Sequence, residues 1–382
     1  MPNAYTVTIL VHRTPIETAV RTSFGVMHDR PSLLIAVADA DGHVGWGEVW
    51  CNFPAVGAEH RARLLHTSIL PTAVELGGWD EPATLWQALN RRFRVLALQT
   101  GEFGPIAQCL AGLDCALHDL AARQRGLPLY RYLRTDAHPR VAVYASGINP
   151  TGLDKTISEA MAGGHSAFKL KVGFGADTDA ANLKTARNIL APAHKLMVDA
   201  NQGWTLQQAL DFADQLNAAD LHWVEEPLAH DAPDREWQLL ADKFAAPLAA
   251  GENFGRDEDF EMLPETRRLG FVQPDVGKWG GISRFVHFAR QLMGEGRAFC
   301  PHWLGGGVGL LASLHVKAAI GGGGMAEVDV NPNTLRDEIA QPVLTSLNSG
   351  SVTLGSEPGI GQVPSDLTAS AIWSAIVDVP QL

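Results

Sequence analysis

Phe168-Lys169-Leu170-Lys171-Val172 sets two lysines into a short apolar run, and runs of this kind recur through the middle of the chain. They are Val141–Ala145, Phe168–Val172, Leu196–Asp199, His222–Glu225, Pro247–Glu252, Phe271–Asp275, Ala298–His302 and Met325–Val328. Helical stretches such as Thr205–Leu216 and Ser283–Met293 lie between them. Eight strands separated by seven helices predict an α/β fold, a modified TIM barrel of the form (β/α)7β.

Outside this alternation the text differs. Tyr5–His12 and Ser32–Ala38 read as strands, and Asp41-Gly42 is a hairpin signal before His43–Val49. Ile106, Cys109, Leu110, Leu113, Leu117 and Leu120 then repeat with helical spacing, and Gly126 with Pro128 stops that helix. Residues 1–135 are therefore expected to form an α+β domain and 136–329 the barrel, with 330–382 returning to the first domain.

Composition narrows the function. The chain has 382 residues, 46% hydrophobic and 19% charged, which suits a large globular core. With 30 basic and 42 acidic residues its net charge is −12, and no Lys/Arg run offers a nucleic-acid surface. Gly307–Met325 carries His315, Lys317 and several glycines, a poor membrane span. Cys51, Cys109, Cys115 and Cys300 make neither a Cys-x-x-Cys pair nor a disulfide scaffold, and Met1–Val11 lacks a signal-peptide pattern. A reducing, cytoplasmic location is the expectation.

Polar residues end seven of the eight runs. From Lys171 the intervals to Asp199, Glu225, Glu252, Asp275, His302 and Glu327 are 28, 26, 27, 23, 27 and 25 residues, one β/α unit each. All should reach one rim of the barrel, where such folds keep their chemistry. Asp199, Glu225 and Glu252 come from consecutive strands, and three carboxylates that close repel unless a cation joins them. All-oxygen ligation suits Mg²⁺. Separate salt bridges or helix caps would be the plain alternative. Lys169 and Lys171, two apart on one strand, face the same way. Mutual repulsion and burial are expected to leave one of them a neutral amine able to act as a general base. Asp275 beside His302 makes a second acid/base centre. Glu327 is left to bind a substrate oxygen or to pair with a rim lysine. A metal holding a carboxylate between two opposed bases points to removal of the α-proton, giving a metal-stabilised enediolate.

The ordered set Lys-Leu-Lys (169–171), Val-Asp-Ala-Asn (198–201), Glu-Glu-Pro (225–227), Gly-Glu-Asn (251–253), Gln-Pro-Asp (273–275) and Pro-His (301–302) resembles the enolase superfamily, in particular its mandelate racemase subgroup. Lys or His bases acting with Mg²⁺ are the known arrangement of that superfamily. The resemblance covers essentially the whole chain. It implies Mg²⁺ ligands at Asp199, Glu225 and Glu252, with Glu226 facing away. It implies Lys171 as base on one face, with Lys169 supporting it and holding the substrate carboxylate. His302, paired with Asp275, serves the other face; Glu327 lies near the substrate carboxylate and Asn201 beside ligands or substrate. The first domain would cap the barrel and choose the substrate through Phe24–Arg30 and Trp50–Phe53. His28 and Arg30 would meet a polar or doubly anionic substrate or simply face solvent, and Trp46 and Trp50 would contact substrate or pack. The implied partner is a small-molecule carboxylate such as an acid sugar, and homo-oligomers are implied. Dehydration to a 2-keto acid is the leading expectation. Racemisation, epimerisation or lactone cycloisomerisation would use the same site, and a non-catalytic metabolite-binding barrel is the alternative of another class.

Overall fold

A computed structural model of the chain describes residues 3–21 and 25–380. β1 (Asn3–Arg21), β2 (Val26–Asp39) and β3 (Val44–Val49) form an antiparallel meander. β2 turns into β3 at Asp41-Gly42, where Gly42 has φ 89°. The helix Phe103–Gln124 lays its apolar stripe on this sheet. Gly47 permits the close approach: a Cβ there would stand 2.0 Å from the carbonyl oxygen of Gly112. The helix ends before Gly126, whose φ of 64° suits a stop.

The first hairpin is longer than its apolar pattern indicates. Thr14 pairs with Arg30, Pro15 with Asp29 and Val20 with Met27, so residues 26–30 belong to a strand rather than a loop. Phe24 lies outside the described residues. The polar residues that hide this arm in the sequence are tied together instead, as where Arg13 pairs with Asp29 at 2.8 Å.

The barrel strands are β4 (Arg140–Ile148), β5 (Ala167–Lys171), β6 (Lys195–Asp199), β7 (Trp223–Glu225), β8 (Leu248–Ala250), β9 (Leu269–Val272), β10 (Ala298–Phe299) and β11 (Ala326–Asp329). Their order is β10-β9-β8-β7-β6-β5-β4-β11, parallel throughout. The two ends meet where the Glu327 amide donates to the Pro301 carbonyl at 3.1 Å. β10 is short because Pro301 has no N–H for the ladder. His302 reaches its place through a single bridge to Asp275. The stretch Thr205–Leu216 is two short helices, Leu206–Asp211 and Ala213–Ala218, meeting at Phe212. Tyr144, Met197, Trp223, Ala249 and Cys300 fill the barrel interior, so the rim residues stand on a packed floor. In the tail, β12 (Ser351–Thr353) pairs with barrel strand β4, while β13 (Trp373–Pro380) crosses back to pair with β1. No helix among the described residues is long and apolar enough to cross a membrane.

Two polar ties fasten the first domain to the barrel. Arg30 of β2, 2% exposed, pairs with Asp329 of β11 at 2.7 Å. Glu48 of β3 accepts hydrogen bonds from the amides of Gly306 and Gly309 at 2.6 and 2.9 Å. Breaking a buried pair leaves an uncompensated charge. Arg30→Met is expected to cost about 3 kcal/mol, seen as a lower thermal midpoint. An unchanged midpoint would show that Arg336, 3.6 Å from Asp329, replaces it fully.

Candidate active site

The parallel register carries Lys171, Asp199 and Glu225 to one level: Lys171 stands beside Asp199, and Asp199 beside Glu225. Glu252 follows β8 by two residues, Asp275 follows β9 by three and His302 follows β10 by three. Glu327 sits within β11.

Each acid in this ring meets a cation or a buried donor. Lys171 Nζ is 2.6 Å from Asp199 Oδ2 and 2.6 Å from Asn201 Oδ1. Lys169 Nζ is 2.5 Å from Glu225 Oε1 and 3.1 Å from Glu327 Oε1, above the Tyr144 ring. Glu225 also accepts from Gln273 Nε2 and from the Trp223 indole N–H. His302 Nδ1 is 2.7 Å from Asp275 Oδ2, and its Nε2 is 2.7 Å from Glu252 Oε2. Ser146 donates a short hydrogen bond to Glu327.

Glu226 departs from the expected outward direction. Its φ of 40° turns it inward, where Asn253 Nδ2 donates to both its oxygens and also to Glu252 Oε1 at 3.1 Å. Two adjacent glutamates on a strand should face opposite ways, and the left-handed turn after β7 breaks that rule. Asn201 and Gln202 also have positive φ, 42° and 62°. That curl lets Asn201 donate its own amide to Asp199 Oδ1 at 2.8 Å.

Six buried carboxylates (Asp199, Glu225, Glu226, Glu252, Asp275 and Glu327) thus face four cations, Lys169, Lys171, Lys278 and His302. The imbalance shifts the pKa values of the site. Burial, with neighbouring carboxylates adding to it, pushes Glu225 and Glu226 up to about 8. Burial disfavours the charge on His302, but Glu252, Glu327 and the Asp275 hydrogen bond outweigh it and raise its pKa to about 10. Both lysines likewise lie above their ordinary value despite burial, Lys169 through Glu225 and Glu327 and Lys171 through Asp199. The expected neutral amine is therefore not a property of the chain alone. The carboxylates hold both ammonium groups charged more strongly than the lysines repel each other.

Among the described residues no three His, Cys, Asp or Glu side chains are gathered as a ligand cluster. Asp199 and Glu225 end consecutive strands and Glu252 follows the next, but they turn onto Lys171, Lys169 and His302 rather than onto one point. The donor set nevertheless fits a hard divalent cation. It is all oxygen, buried, and short of two positive charges.

Lys171, His302, Glu252, Glu327 and Asn201 line one cleft, roofed from the first domain by Val20, Trp50 and Phe53. Its free volume is about 30 Å³, room for a water molecule, so the roof closes over the site in this structure. A wider depression of about 730 Å³ lies elsewhere, by Trp46 of the first sheet and Glu357 of the tail, and none of the rim residues lines it. Of the proposed selectivity residues, Trp50 is in the roof, His28 is exposed on β2 away from the cleft, and Arg30 is buried in its pair with Asp329. Lys278 was missed by sequence reasoning. Its Nζ lies 4.7 Å from the centre of the Trp50 ring and 3.8 Å from Glu252 Oε1. A lysine three residues past a strand-end acid gives no periodic signal.

Comparison with known proteins agrees with this geometry. Residues 4–133 match the mandelate racemase / muconate lactonizing enzyme N-terminal domain, and residues 153–367 match the enolase C-terminal domain-like family. D-galactarolactone cycloisomerase of Agrobacterium fabrum is 29% identical over 377 residues, covering 92% of this chain and 93% of that protein. Arabinonate dehydratase of Saccharolobus solfataricus is 26% identical over 342 residues, covering 87% of this chain and 88% of that one. The crystal structure of a mandelate racemase/muconate lactonizing enzyme from Bordetella bronchiseptica RB50 superposes with a TM-score of 0.86 at 45% identity, covering 96% of this chain and all of that one. A racemase from Streptomyces coelicolor A3(2), 24% identical with a TM-score of 0.84 over 96% of this chain and 99% of its own, shares the fold and contains magnesium. With both halves matched, the chain belongs to the mandelate racemase/muconate lactonizing enzyme group of the enolase superfamily.

Proposed function

We propose that the chain removes the proton next to the carboxylate of an acid sugar or related hydroxy acid and then expels the β-hydroxyl as water, yielding a 2-keto acid. The observation that carries this reading is the pair of proton-holding groups in one closed cleft: Lys171 on the Asp199 side and His302 on the Glu252 side, the latter backed by Asp275.

Asp199, Glu225 and Glu252 would hold Mg²⁺, with Glu226 and Asn253 adjoining. When bound, the ion supplies positive charge that stabilises the electron pair left on the substrate carboxylate after proton loss. The chain's own residues do the rest. Carboxylates committed to a cation hold their lysines less strongly, so Lys171 Nζ loses its reason to stay protonated and can take the α-proton. Lys169 remains on the Glu327 side as a fixed charge for the substrate carboxylate. His302 keeps its Nδ1 proton on Asp275 and presents Nε2 to the other face. There it takes the proton of the opposite epimer, or gives one to the departing hydroxyl as the C–O bond breaks and the double bond forms. The enol so released becomes the 2-keto acid. Lys278, Trp50 and Phe53 close the cleft and exclude water. Lactone cycloisomerisation starts from the same proton abstraction, and a relative of nearly full length carries that name. Product analysis separates the two.

With purified protein, Mg²⁺ and a panel of acid sugars in D₂O, α-deuterium incorporation accompanied by 2-keto acid is expected, and excess EDTA should abolish both. Deuterium incorporation without keto acid would replace dehydration by racemisation. No incorporation with any panel member would end the proposal.

Lys171→Ala and His302→Asn should each lower turnover by at least about 100-fold, since general acid–base catalysis contributes on this order. Unchanged circular dichroism would show that the fold survives. Near-normal rates in both variants would refute the assignment.

Asp199→Asn or Glu252→Gln removes one charge from the ion's surroundings. Mg²⁺ affinity measured by calorimetry should fall about 100-fold, or about 2.7 kcal/mol, roughly two-thirds of a unit-charge interaction of about 4 kcal/mol at 4 Å. Equal affinity in wild type and both variants would place the ion elsewhere.

A further inference from the structure

Glu48 is a buried carboxylate that the reaction as proposed does not use. It comes from β3 of the first domain, is 3% exposed, and receives three donors: the Ser32 hydroxyl at 2.9 Å and the amides of Gly306 and Gly309. Those amides open the 14-residue helix Gly307–Ile320, so the carboxylate also faces the positive end of its dipole. Burial pushes the Glu48 carboxyl up to about 7 against the pull of these donors.

What Glu48 fastens is the loop that leaves His302. Trp303 donates its indole N–H to the Gly306 carbonyl at 2.9 Å. Its ring lies where Cβ atoms of Gly277, Gly305 and Gly309 would stand, at 2.6, 2.5 and 1.9 Å. Gly277 in turn donates its amide to Asp275 Oδ1 at 2.8 Å, and Asp275 Oδ2 holds His302 Nδ1. Asn52 of the same domain donates to the Leu304 carbonyl at 2.6 Å. A continuous chain of contacts therefore runs from Glu48 through Gly306 and Trp303 to the imidazole. Lys171 and Asp199, on β5 and β6, stand outside it.

We infer that Glu48 is a positioning residue: by pinning the 303–306 loop from the first domain it sets the orientation of the Asp275–His302 pair, so one of the two proton-transferring faces works only when that domain is docked. The inference rests on His302 acting as proposed.

The test uses the full-length protein. In ¹⁵N-histidine-labelled protein the Nδ1–H of His302, hydrogen-bonded to Asp275, should give a downfield proton resonance, assigned by its loss in His302→Asn. Glu48→Gln keeps the shape but turns an NH₂ toward a backbone amide. It should shift or broaden this resonance, and Glu48→Asp should restore it in part. In D₂O with Mg²⁺, exchange is followed for D-galactonate and D-talonate, which have a single carboxylate, differ only at C2 and so present opposite faces. Glu48→Gln should slow by at least tenfold the exchange that His302→Asn abolishes and leave within threefold the exchange that Lys171→Ala abolishes. An unchanged His302 resonance, or equal loss on both faces, would overturn the inference. Absence of exchange in the wild type would count against the proposed function with these acids and leave the resonance to decide on Glu48.

Discussion

The fold supports its chemistry by holding more negative than positive charge above an apolar floor. Tyr144, Met197 and Trp223 fill the barrel beneath the rim and leave little water to stabilise charge there. Isolated ions in such a place shift their pKa and neutralise. The chain answers most of its carboxylates with Lys169, Lys171, Lys278 and His302 and leaves Glu225 and Glu226 with raised pKa values. Such a deficit suits a divalent cation better than a monovalent one, and oxygen donors suit a hard ion better than zinc.

The same constraint explains why acid and base groups share partners. Glu252 touches His302 and Lys278; Asp199 touches both lysines. Lys171 and His302, the groups proposed to transfer protons, are thus each paired with a carboxylate proposed to hold the metal. Committing the acids to the ion and freeing the bases for substrate are one event.

The barrel was legible because single polar residues fall at or just past the ends of its apolar runs at β/α intervals. Lys171, Asp199, Glu225, Glu252, Asp275, His302 and Glu327 could all be placed on one rim from spacing alone. The first domain was less legible. The arm of β1 and β2 beyond His12 is polar because its side chains pair with each other, so apolar periodicity stops where the strand does not. Arg30 read as a loop residue open to a substrate, yet its charge is consumed by Asp329, 299 positions away in sequence. Glu226 was hidden by a positive φ, and Lys278 by a loop without period. What sequence reasoning could not reach were contacts between distant segments and turns that reverse a side chain's face.

Glu48 and Arg30 belong to that class and show why the two domains must be read together. A barrel alone could hold Asp199 and Glu225 in place, because the β5–β6–β7–β8 ladders carry them. His302 has no such support. β10 has only two residues, Pro301 interrupts it, and the backbone reaches His302 by one bridge. Precision on that side has to come from elsewhere. The packing of Trp303, the Asn52 bond to Leu304 and the Glu48 bonds to Gly306 and Gly309 supply it from the roof. The domain that closes the cleft over a substrate is then the one that steadies the base on its weaker side. The roof residues Trp50 and Phe53 and the tethers Glu48 and Asn52 all come from one short stretch of the first domain, so docking of that stretch brings roof and tether together.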